Sequence, residues 1–158
     1  MAFDGQELRK IMGSFATGVT VVTTDTDPPT GLTANSVTSL SLDPPLILFA
    51  VDKKAGSLAA FNETRRFAVS ILTTEQQDIS NRFATPGPKD FSDLSIRTAE
   101  TGAPILADAL AWADCRVVDV LPGGDHDIFI GEVVAGDVNV GDPLLYYAGK
   151  YREITPLS

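Results

Sequence analysis

The sequence has few of the side chains that build metal centres or disulfide-bonded folds. Its 158 residues include one cysteine, one histidine and one tryptophan. One cysteine cannot form an internal disulfide, and structural zinc sites and iron–sulfur clusters need several Cys or His ligands. We therefore expect neither a disulfide nor a metal. The length is ordinary for one domain, and we expect residues 1–158 to form a single one.

Basic residues and long apolar runs are also scarce. Only 12 Lys and Arg stand against 21 Asp and Glu, a formal net charge of -9. Nucleic-acid binding needs a basic surface, and anionic membranes repel an acidic protein, so we expect neither partner. The longest apolar run, residues 44–51, is too short to span a bilayer, and the polar N-terminus is unlike a signal peptide. These features predict a cytoplasmic protein.

Several catalytic motifs are missing. No two glycines stand two residues apart, which excludes the Gly-x-Gly-x-x-Gly dinucleotide turn, and neither a phosphate-binding P-loop nor a Gly-x-Ser-x-Gly elbow occurs. A Ser/His/Asp triad would need His126, and in a strand the carboxylates of Asp125 and Asp127 should point away from it. With so few reactive side chains, we expect a bound cofactor to supply the chemistry.

Strand-like segments outnumber helical ones. Apolar residues from Leu8 to Phe15 recur at helical spacing, and further short helices are predicted over residues 57–61 and 75–84, the last capped by Thr74. Consecutive strand-like runs favour a mainly β fold, a closed or nearly closed antiparallel barrel with a few short helices. Strands are predicted over residues 18–24, 32–41, 46–51, 67–72, 111–121, 127–138 and 144–154.

Two polar segments could hold a cofactor. Residues 31–45 are rich in hydroxyl and amide side chains, which suit a flat heteroaromatic ring bound at its edge, although a Thr-rich edge strand would look the same. Residues 51–58 place Lys53, Lys54 and Ser57 before a predicted helix, an arrangement that can bind phosphate. A solvated surface turn is the alternative reading of the second segment.

The only histidine follows a Gly-Gly turn. His126 precedes the strand-like run Asp127–Val138. A histidine there is usually a surface residue, but it could face a cleft and exchange hydrogen bonds near neutral pH. Cys115 falls within a predicted strand, where we expect a buried and unreactive thiol.

Ordered motifs over nearly the whole chain resemble the small flavin reductase family, which has the Greek-key FMN-binding split barrel. Such proteins are the reductase components of two-component flavin-dependent monooxygenases. The resemblance runs from Leu8 to about Tyr151. It is carried by residues 8–24, Gly31-x-Thr33-Ala34-Asn35-Ser36, Ser39-x-Ser41-Leu42-Asp43-Pro44-Pro45, Ile79-Ser80-x-x-Phe83-Ala84, Cys115, Gly124-Asp125-His126 with Phe129-Ile130-Gly131-Glu132-Val133, and Pro143-Leu144-Leu145-Tyr146-Tyr147-x-Gly149-x-Tyr151.

The resemblance implies an NAD(P)H:flavin oxidoreductase that moves a hydride from nicotinamide to flavin N5. It assigns the NAD(P)H pocket to Phe15, His126 and Tyr151, with His126 positioning the nicotinamide. The strand Leu32–Ser36 would lie along the isoalloxazine, and Asp52–Ser57 would hold the phosphate end. The implied cofactor-binding residues are Leu32, Thr33, Ala34, Asn35, Ser36, Ser39, Ser41, Asp52, Lys53, Lys54, Ala55, Ser57, Arg82 and Phe83.

Cofactors and partners follow from the same resemblance. The flavin would be FMN or FAD, and the hydride donor NADH or NADPH. The resemblance implies a homodimer with flavin near the interface, and a separate monooxygenase that receives the reduced flavin. The alternatives are another split-barrel flavoprotein, such as a pyridoxamine-phosphate-oxidase-like oxidase, or a non-catalytic flavin- or haem-binding module.

Overall fold

The computed structural model describes residues 2–158. Three α-helices are present: α1 (Gly5–Gly13), α2 (Leu58–Thr64) and α3 (Gln77–Ala84). The strands are β1 (Thr17–Gly18), β2 (Thr20–Thr24), β3 (Thr30–Ala34), β4 (Val37–Leu42), β5 (Pro45–Asp52), β6 (Arg66–Ile71), β7 (Ile96–Arg97), β8 (Ile105–Leu106), β9 (Ala111–Gly123), β10 (His126–Val138), β11 (Leu145–Tyr147) and β12 (Lys150–Arg152). The mainly β, antiparallel prediction is confirmed.

Seven of the described strands form one antiparallel sheet, in the order β3-β2-β6-β9-β10-β5-β4. All seven strands contribute side chains to one apolar core, centred on the fully buried rings of Phe49, Phe61, Phe67 and Phe129. Phe49 packs edge-on against Phe67 with ring centroids 4.6 Å apart. Because a flat sheet could not direct all seven strands to one cluster, the sheet is strongly curled.

The two outer strands of this sheet are consecutive in sequence. The segment 32–41, predicted as one extended or bent strand, is instead divided at Asn35–Ser36 between β3 and β4. The Ser36 hydroxyl bonds the backbone of Ala50 in β5. It donates to the Ala50 carbonyl, 2.9 Å away, and accepts from the Ala50 N–H. The sheet edges therefore meet at this link, but no ladder joins β3 to β4 among residues 2–158, so the sheet is open.

The start of one helix and the extent of one strand also differ from their predictions. The helix at 75–84 begins with a 3₁₀ turn, Thr74–Gln76, capped by Thr73 rather than Thr74. Thr73 accepts from the Glu75 N–H, and the Gln76 side chain accepts from the Thr73 N–H at 2.9 Å. The strand predicted over 144–154 is a hairpin of β11 and β12, because Ala148 and Gly149 take positive φ angles of 52° and 78°.

A second apolar cluster lies between the main sheet and the elements around α3. The short sheet β1-β11-β12 closes this side of the molecule. Val21 faces this cluster while its neighbour Val22 faces the phenylalanine core, so β2 is buried on both faces. The buried side chains of Leu72, Phe83 and Leu144 complete it. The packing fixes α3 against β3, the strand that borders the candidate site.

Helix α1 stands apart from both cores. A capping box of Asp4 and Glu7 begins this helix. None of its residues is buried, and the apolar side chains Leu8, Ile11 and Met12 are each more than half exposed. None of the described helices has both the length and the apolar character needed to cross a membrane.

Candidate functional site

Three cavities lie along the edge strand β3 and the link that follows it, in the order of the residues that line them. Gly31 and Leu32 line one of about 560 Å³, which we call the proline cavity because Pro28, Pro29, Pro86 and Pro88 also line it. Thr33 and Asn35 line the tyrosine cavity of about 190 Å³, together with Tyr146 and Tyr151. Asn35 and Ser36 line the Phe15 cavity of about 600 Å³, together with Phe15, Met12 and Thr17.

From Gly31 to Ala34 the strand runs for about 10 Å, at roughly 3.3 Å per residue, and the Phe15 cavity follows at the link Asn35–Ser36. In the described chain β3 pairs with β2 only, so its other edge keeps backbone groups outside any strand ladder. A long, flat ligand with hydrogen-bonding edges fits such a border. Leu32, Thr33, Asn35 and Ser36 line these cavities, and their assignment to the isoalloxazine stays a prediction.

A hydrogen-bond network fixes the tyrosine cavity. The Thr33 hydroxyl donates to the Ser80 carbonyl at 2.6 Å. The Tyr151 hydroxyl donates to Asn81 Oδ1 at 3.0 Å and lies 2.7 Å from Ser80 Oγ. The ring of Tyr151 also packs edge-on against Tyr146, with centroids 5.4 Å apart. Tyr151 is therefore held beside β3 by α3, through Ser80 and Asn81, two residues absent from the predicted site.

Two hydrogen bonds of its backbone N–H groups hold the turn after β5 in place. Asp52 Oδ1 accepts from the Lys54 N–H at 2.8 Å, and the Lys53 N–H donates to the Asp125 carbonyl at 2.9 Å. Lys54 and Ser57 line the proline cavity. Ser57 is 8% exposed, and its hydroxyl makes no capping bond to α2. The predicted phosphate segment thus places one ammonium and the hydroxyl of Ser57 in the cavity beside the start of β3.

Lys89 joins these groups and was missed by the sequence reading. It lines the proline cavity from the opposite wall, and its Nζ donates to the carbonyl of Thr85. Burial lowers the pKa of the Lys89 ammonium. The only local signal was the Pro86-Gly87-Pro88 segment, which reads as a helix stop, and no pattern could show that it folds back to Lys54.

His126 stands at a different place from the other predicted nicotinamide residues. It pairs with Asp52 at the end of β5 and lines none of the three cavities along β3. Its Nδ1 lies 2.7 Å from Asp125 Oδ1, and this hydrogen bond lowers the pKa of Asp125. The expectation that Asp125 points away is wrong, because Asp125 lies in the turn before β10 and not in a strand.

The side chains of Arg82 and Phe83 lie away from the three cavities along β3. Arg82 forms a two-pronged ion pair with Asp93, at 2.6 and 3.0 Å, which raises the pKa of its guanidinium. It lines a separate acidic cleft beside Glu75 and Asp78. Phe83 is 1% exposed and packs edge-on against Phe91. The structure therefore does not bring these two side chains to the cavities along β3.

Of the remaining predicted residues, one lines a cavity along β3 and the others do not. Ala55 lines the proline cavity. Ala34 is buried in the phenylalanine core, and its carbonyl accepts from the Thr20 hydroxyl at 2.7 Å. Ser39 and Ser41 flank a register shift on β4 and line none of the three cavities. Their assignment stays a prediction.

Comparison with known proteins identifies the family. The chain is 43% identical over 154 residues to the reductase component of a 4-nitrophenol 4-monooxygenase/4-nitrocatechol 2-monooxygenase from Rhodococcus opacus, covering 97% of this chain and 83% of that protein.

Solved structures are similarly close. BorF, the flavin reductase component of a bacterial two-component tryptophan halogenase, superposes with a TM-score of 0.91 at 41% identity, covering 98% of this chain and 100% of that one. The Streptomyces globisporus C-1027 NADH:FAD oxidoreductase SgcE6, in complex with NAD and FAD fragments, gives 0.91 at 37% identity, covering 99% and 98%. Residues 12–155 match the flavin reductase like domain, and the chain belongs to that family.

Proposed function

We propose that this protein is an oxidoreductase that uses NADH to reduce a flavin and passes the reduced flavin to a separate monooxygenase. The observation that carries the proposal is the row of three cavities along β3 and the link after it, with Lys54 and Ser57 at one end, Tyr151 in the middle and Phe15 at the other end. The names of its relatives support the same activity: one is a monooxygenase reductase component, another an NADH:FAD oxidoreductase.

The residues present suit a flavin. The free edge of β3 offers backbone N–H and C=O groups to the polar rim of a flat ring, and Asn35 adds a side-chain amide. Lys54 and the Ser57 hydroxyl suit the phosphate that follows the ribityl chain. When bound, the flavin supplies the atom that accepts the hydride, so no side chain need act as a nucleophile.

The chain's own task is to position the two rings. We assign the hydride donor to the Phe15 and tyrosine cavities, which share Asn35 as a wall. Hydride transfer requires close stacking of donor and acceptor. The bonds of Tyr151 to Ser80 and Asn81 keep one wall rigid, which reduces the entropy lost when the donor binds.

His126 is retained as a proposed contact for the nicotinamide dinucleotide, outside these cavities. Its Nδ1 is hydrogen-bonded to Asp125 Oδ1, and its Nε2 makes no hydrogen bond within the described chain. If it serves the donor, His126→Ala raises the KM for NADH or slows hydride transfer, while flavin affinity stays within about twofold. Unchanged NADH kinetics would remove His126 from the site.

Steady-state oxidation of NADH and NADPH with FMN, FAD and riboflavin in turn tests the main proposal. We expect NADH oxidation that depends on added flavin, and reduced flavin that leaves the protein and can be consumed by a flavin-dependent monooxygenase. A purified protein that oxidises neither nicotinamide with any of the three flavins would overturn the proposal.

We also propose a homodimer. Phe3, Ile11 and Phe15, on and beside α1, are 65%, 58% and 67% exposed, more apolar surface than an isolated amphipathic helix should leave to water. A second copy covering α1 would bury these side chains and lie over the Phe15 cavity.

Light scattering tests the dimer and should give twice the chain mass. Ile11→Glu should reduce this mass, whereas Lys10→Glu on the same helix should not. A wild-type mass of one chain would disprove the dimer.

The barrel and domain predictions complete the proposal. Residues 1–158 act as one flavin reductase-like domain, and the curled sheet forms a Greek-key split barrel whose seam lies at Asn35–Ser36. The bonds from Ser36 to Ala50 and from Thr20 to Ala34 support this, because they link each side of the seam to a neighbouring strand. Ligand at β3 would then sit beside the seam.

A further inference from the structure

The segment that leads from α3 toward β7 folds back onto the helix it leaves. It begins at Arg82, in the last turn of α3, and ends at Asp93, whose carboxylate accepts from the Arg82 guanidinium at 2.6 and 3.0 Å. Arg82 also donates to the Asp90 carbonyl at 2.9 Å. Compact surface loops of this length whose ends lie close together are Ω-loops, and they frequently carry function. We call residues 82–93 the Ω-loop.

The tip of the Ω-loop, residues 85–89, forms part of the wall of the proline cavity. The rest of the lining comes mainly from residues 28–32 and 54–57. Within the described chain, the hydrogen bonds of the tip all go to its own loop or to α3, such as the bond from Lys89 Nζ to the Thr85 carbonyl. The tip therefore borders the cavity without being bonded to the other walls.

The tip also lies outside the apolar cores. Residues 85–88 are exposed, and Lys89 is half-buried. Gly87 takes a positive φ of 104°, and a Cβ there would meet no atom within 4 Å. Pro86 and Pro88 restrict the backbone on either side of it. A stiff segment with few packed neighbours can open locally at a small cost in free energy.

The base of the Ω-loop, in contrast, is packed. Phe91 lies edge-on against the buried ring of Phe83, with centroids 5.2 Å apart, and Leu94 packs against the second apolar cluster. The Arg82 bonds join this fixed base to the end of α3. The side chains of Arg82 and Asp93 are 26% and 61% exposed. An ion pair that water reaches in this way is weak enough to break and form again.

We propose that the Ω-loop is a flap beside the start of β3, that Arg82 and Asp93 hold it closed, and that its opening sets how fast flavin enters and leaves. The inference rests on the proposed function, in which flavin lies along β3 and the reduced flavin must leave for a separate monooxygenase. Opening of such loops limits turnover in many enzymes. Arg82 is a positioning residue here, because it acts through the loop and lines none of the cavities along β3.

The rate of FAD release tests the flap. Rapid dilution of the FAD complex, followed by flavin fluorescence, gives the dissociation rate for wild type, Arg82→Gln, Asp93→Asn and the double variant. Each single variant should release FAD about threefold to fivefold faster, the effect expected for loss of a partly exposed ion pair. Since both changes break one pair, the double variant should be no faster than the faster single variant. Asp108→Asn, an equal change in the same acidic cleft, is the matched control and should keep the wild-type rate.

Trypsin measures opening of the flap without flavin. Cleavage after Lys89, identified by mass spectrometry, requires the tip to leave the cavity wall, and its rate follows the population of the open form. It should be about threefold to fivefold faster in Asp93→Asn than in wild type or Asp108→Asn. The urea midpoints of the three proteins should agree, which separates flap opening from global unfolding.

Unchanged FAD release in both Arg82→Gln and Asp93→Asn would overturn the inference. Additive effects in the double variant, an equal change in Asp108→Asn, or cleavage after Lys89 at one rate in all proteins would do the same. A wild type that oxidises no NADH with any flavin contradicts the proposed function, and the role in flavin release falls with it. Active enzyme with equal FAD release in every variant contradicts only the flap.

Discussion

Gly131 lies where β10 passes closest to the phenylalanine core. A Cβ at this position would lie 2.5 Å from the Phe67 ring and 2.9 Å from Cys115 Cβ. Because both neighbours are fully buried, they have little room to move. We expect Gly131→Ala to lower the free energy of unfolding by about 1–3 kcal/mol, the usual cost of overpacking.

Urea denaturation followed by circular dichroism measures this change. Gly5→Ala is the matched control, because a Cβ at Gly5 meets no atom within 4 Å. It should leave the midpoint of unfolding nearly unchanged. A Gly131→Ala midpoint equal to that of wild type would show that the Phe67 ring is not packed as described.

Cys115 confirms the prediction of a buried thiol. It is fully buried, and burial, with a smaller contribution from Asp114, raises its pKa to about 12. A free thiol titrates near 8.5, so folding keeps Cys115 protonated while the unfolded chain ionises. This contribution to stability is therefore intact below about pH 8.5 and is lost as the pH rises toward 12.

Thiol reagents at pH 8 test this protection. Because the thiolate is the reactive form, Cys115 should be labelled only as fast as the protein unfolds, and labelling in urea should follow the loss of structure. Cys115→Ala supplies the blank. Rapid stoichiometric labelling of native protein would contradict the burial of this thiol.

Single residues were predictable where their neighbours in sequence decide their environment. The burial of Cys115 followed from its place in a predicted strand, and the position of Lys54 in a turn before a helix followed from its polar neighbours. Lys89 was missed because its role depends on Lys54, 35 positions away in the chain. Arg82 was predicted at the cofactor, but its partner Asp93 lies on a poorly periodic loop that no local pattern could orient.

At the scale of elements, helix α3 connects stability to the site. The capping box of Thr73 and Gln76 holds its first turn, and its residues Ser80 and Asn81 fix Tyr151. We expect Thr73→Ala to cost about 1 kcal/mol of unfolding free energy, as loss of an N-cap does. A frayed first turn should also loosen Tyr151, so the KM for NADH should rise.

Stability and kinetics are measured on the same variant. Thr98→Ala, at an exposed threonine whose side chain makes no hydrogen bond in the described chain, is the control and should change neither quantity. If Thr73→Ala unfolds at the wild-type urea concentration, the capping box does not hold this helix.

Element types were easier to predict than their boundaries. Alternating and apolar runs predicted the long strands β5, β9 and β10 to within a few residues, because each pattern repeats many times. The hairpin of β11 and β12 was read as one strand, since its turn at Ala148–Gly149 lacks the usual Asn-Gly or Asp-Gly signal. The division at Asn35–Ser36 depends on a bond to Ala50 in another strand.

At the scale of the whole molecule, the sheet depends on how its two edges meet. The sequence predicted a barrel from the number of consecutive strands, but strand counts carry no information on closure. The two-residue link Asn35–Ser36 keeps the edges near each other, and the hydrogen bonds of Ser36 to Ala50 extend the pairing of β4 with β5 up to that link. The site along β3 lies at one of these edges, beside the link.

Removing the Ser36 hydroxyl should therefore loosen the end of the β4–β5 pairing that adjoins the seam. In Ser36→Ala the Ala50 N–H loses its acceptor, which lies at 3.3 Å, and the Ala50 carbonyl loses a donor. A hydrogen bond of this kind contributes about 1 kcal/mol, so amide hydrogen exchange at Ala50 should accelerate roughly fivefold while exchange in β9 stays at the wild-type rate. Ser39→Ala, an exposed serine on β4, is the control and should leave Ala50 protected. Equal exchange at Ala50 in wild type and Ser36→Ala would show that Ser36 does not hold this end of β4 to β5. Faster exchange in every strand would indicate global loss of stability instead.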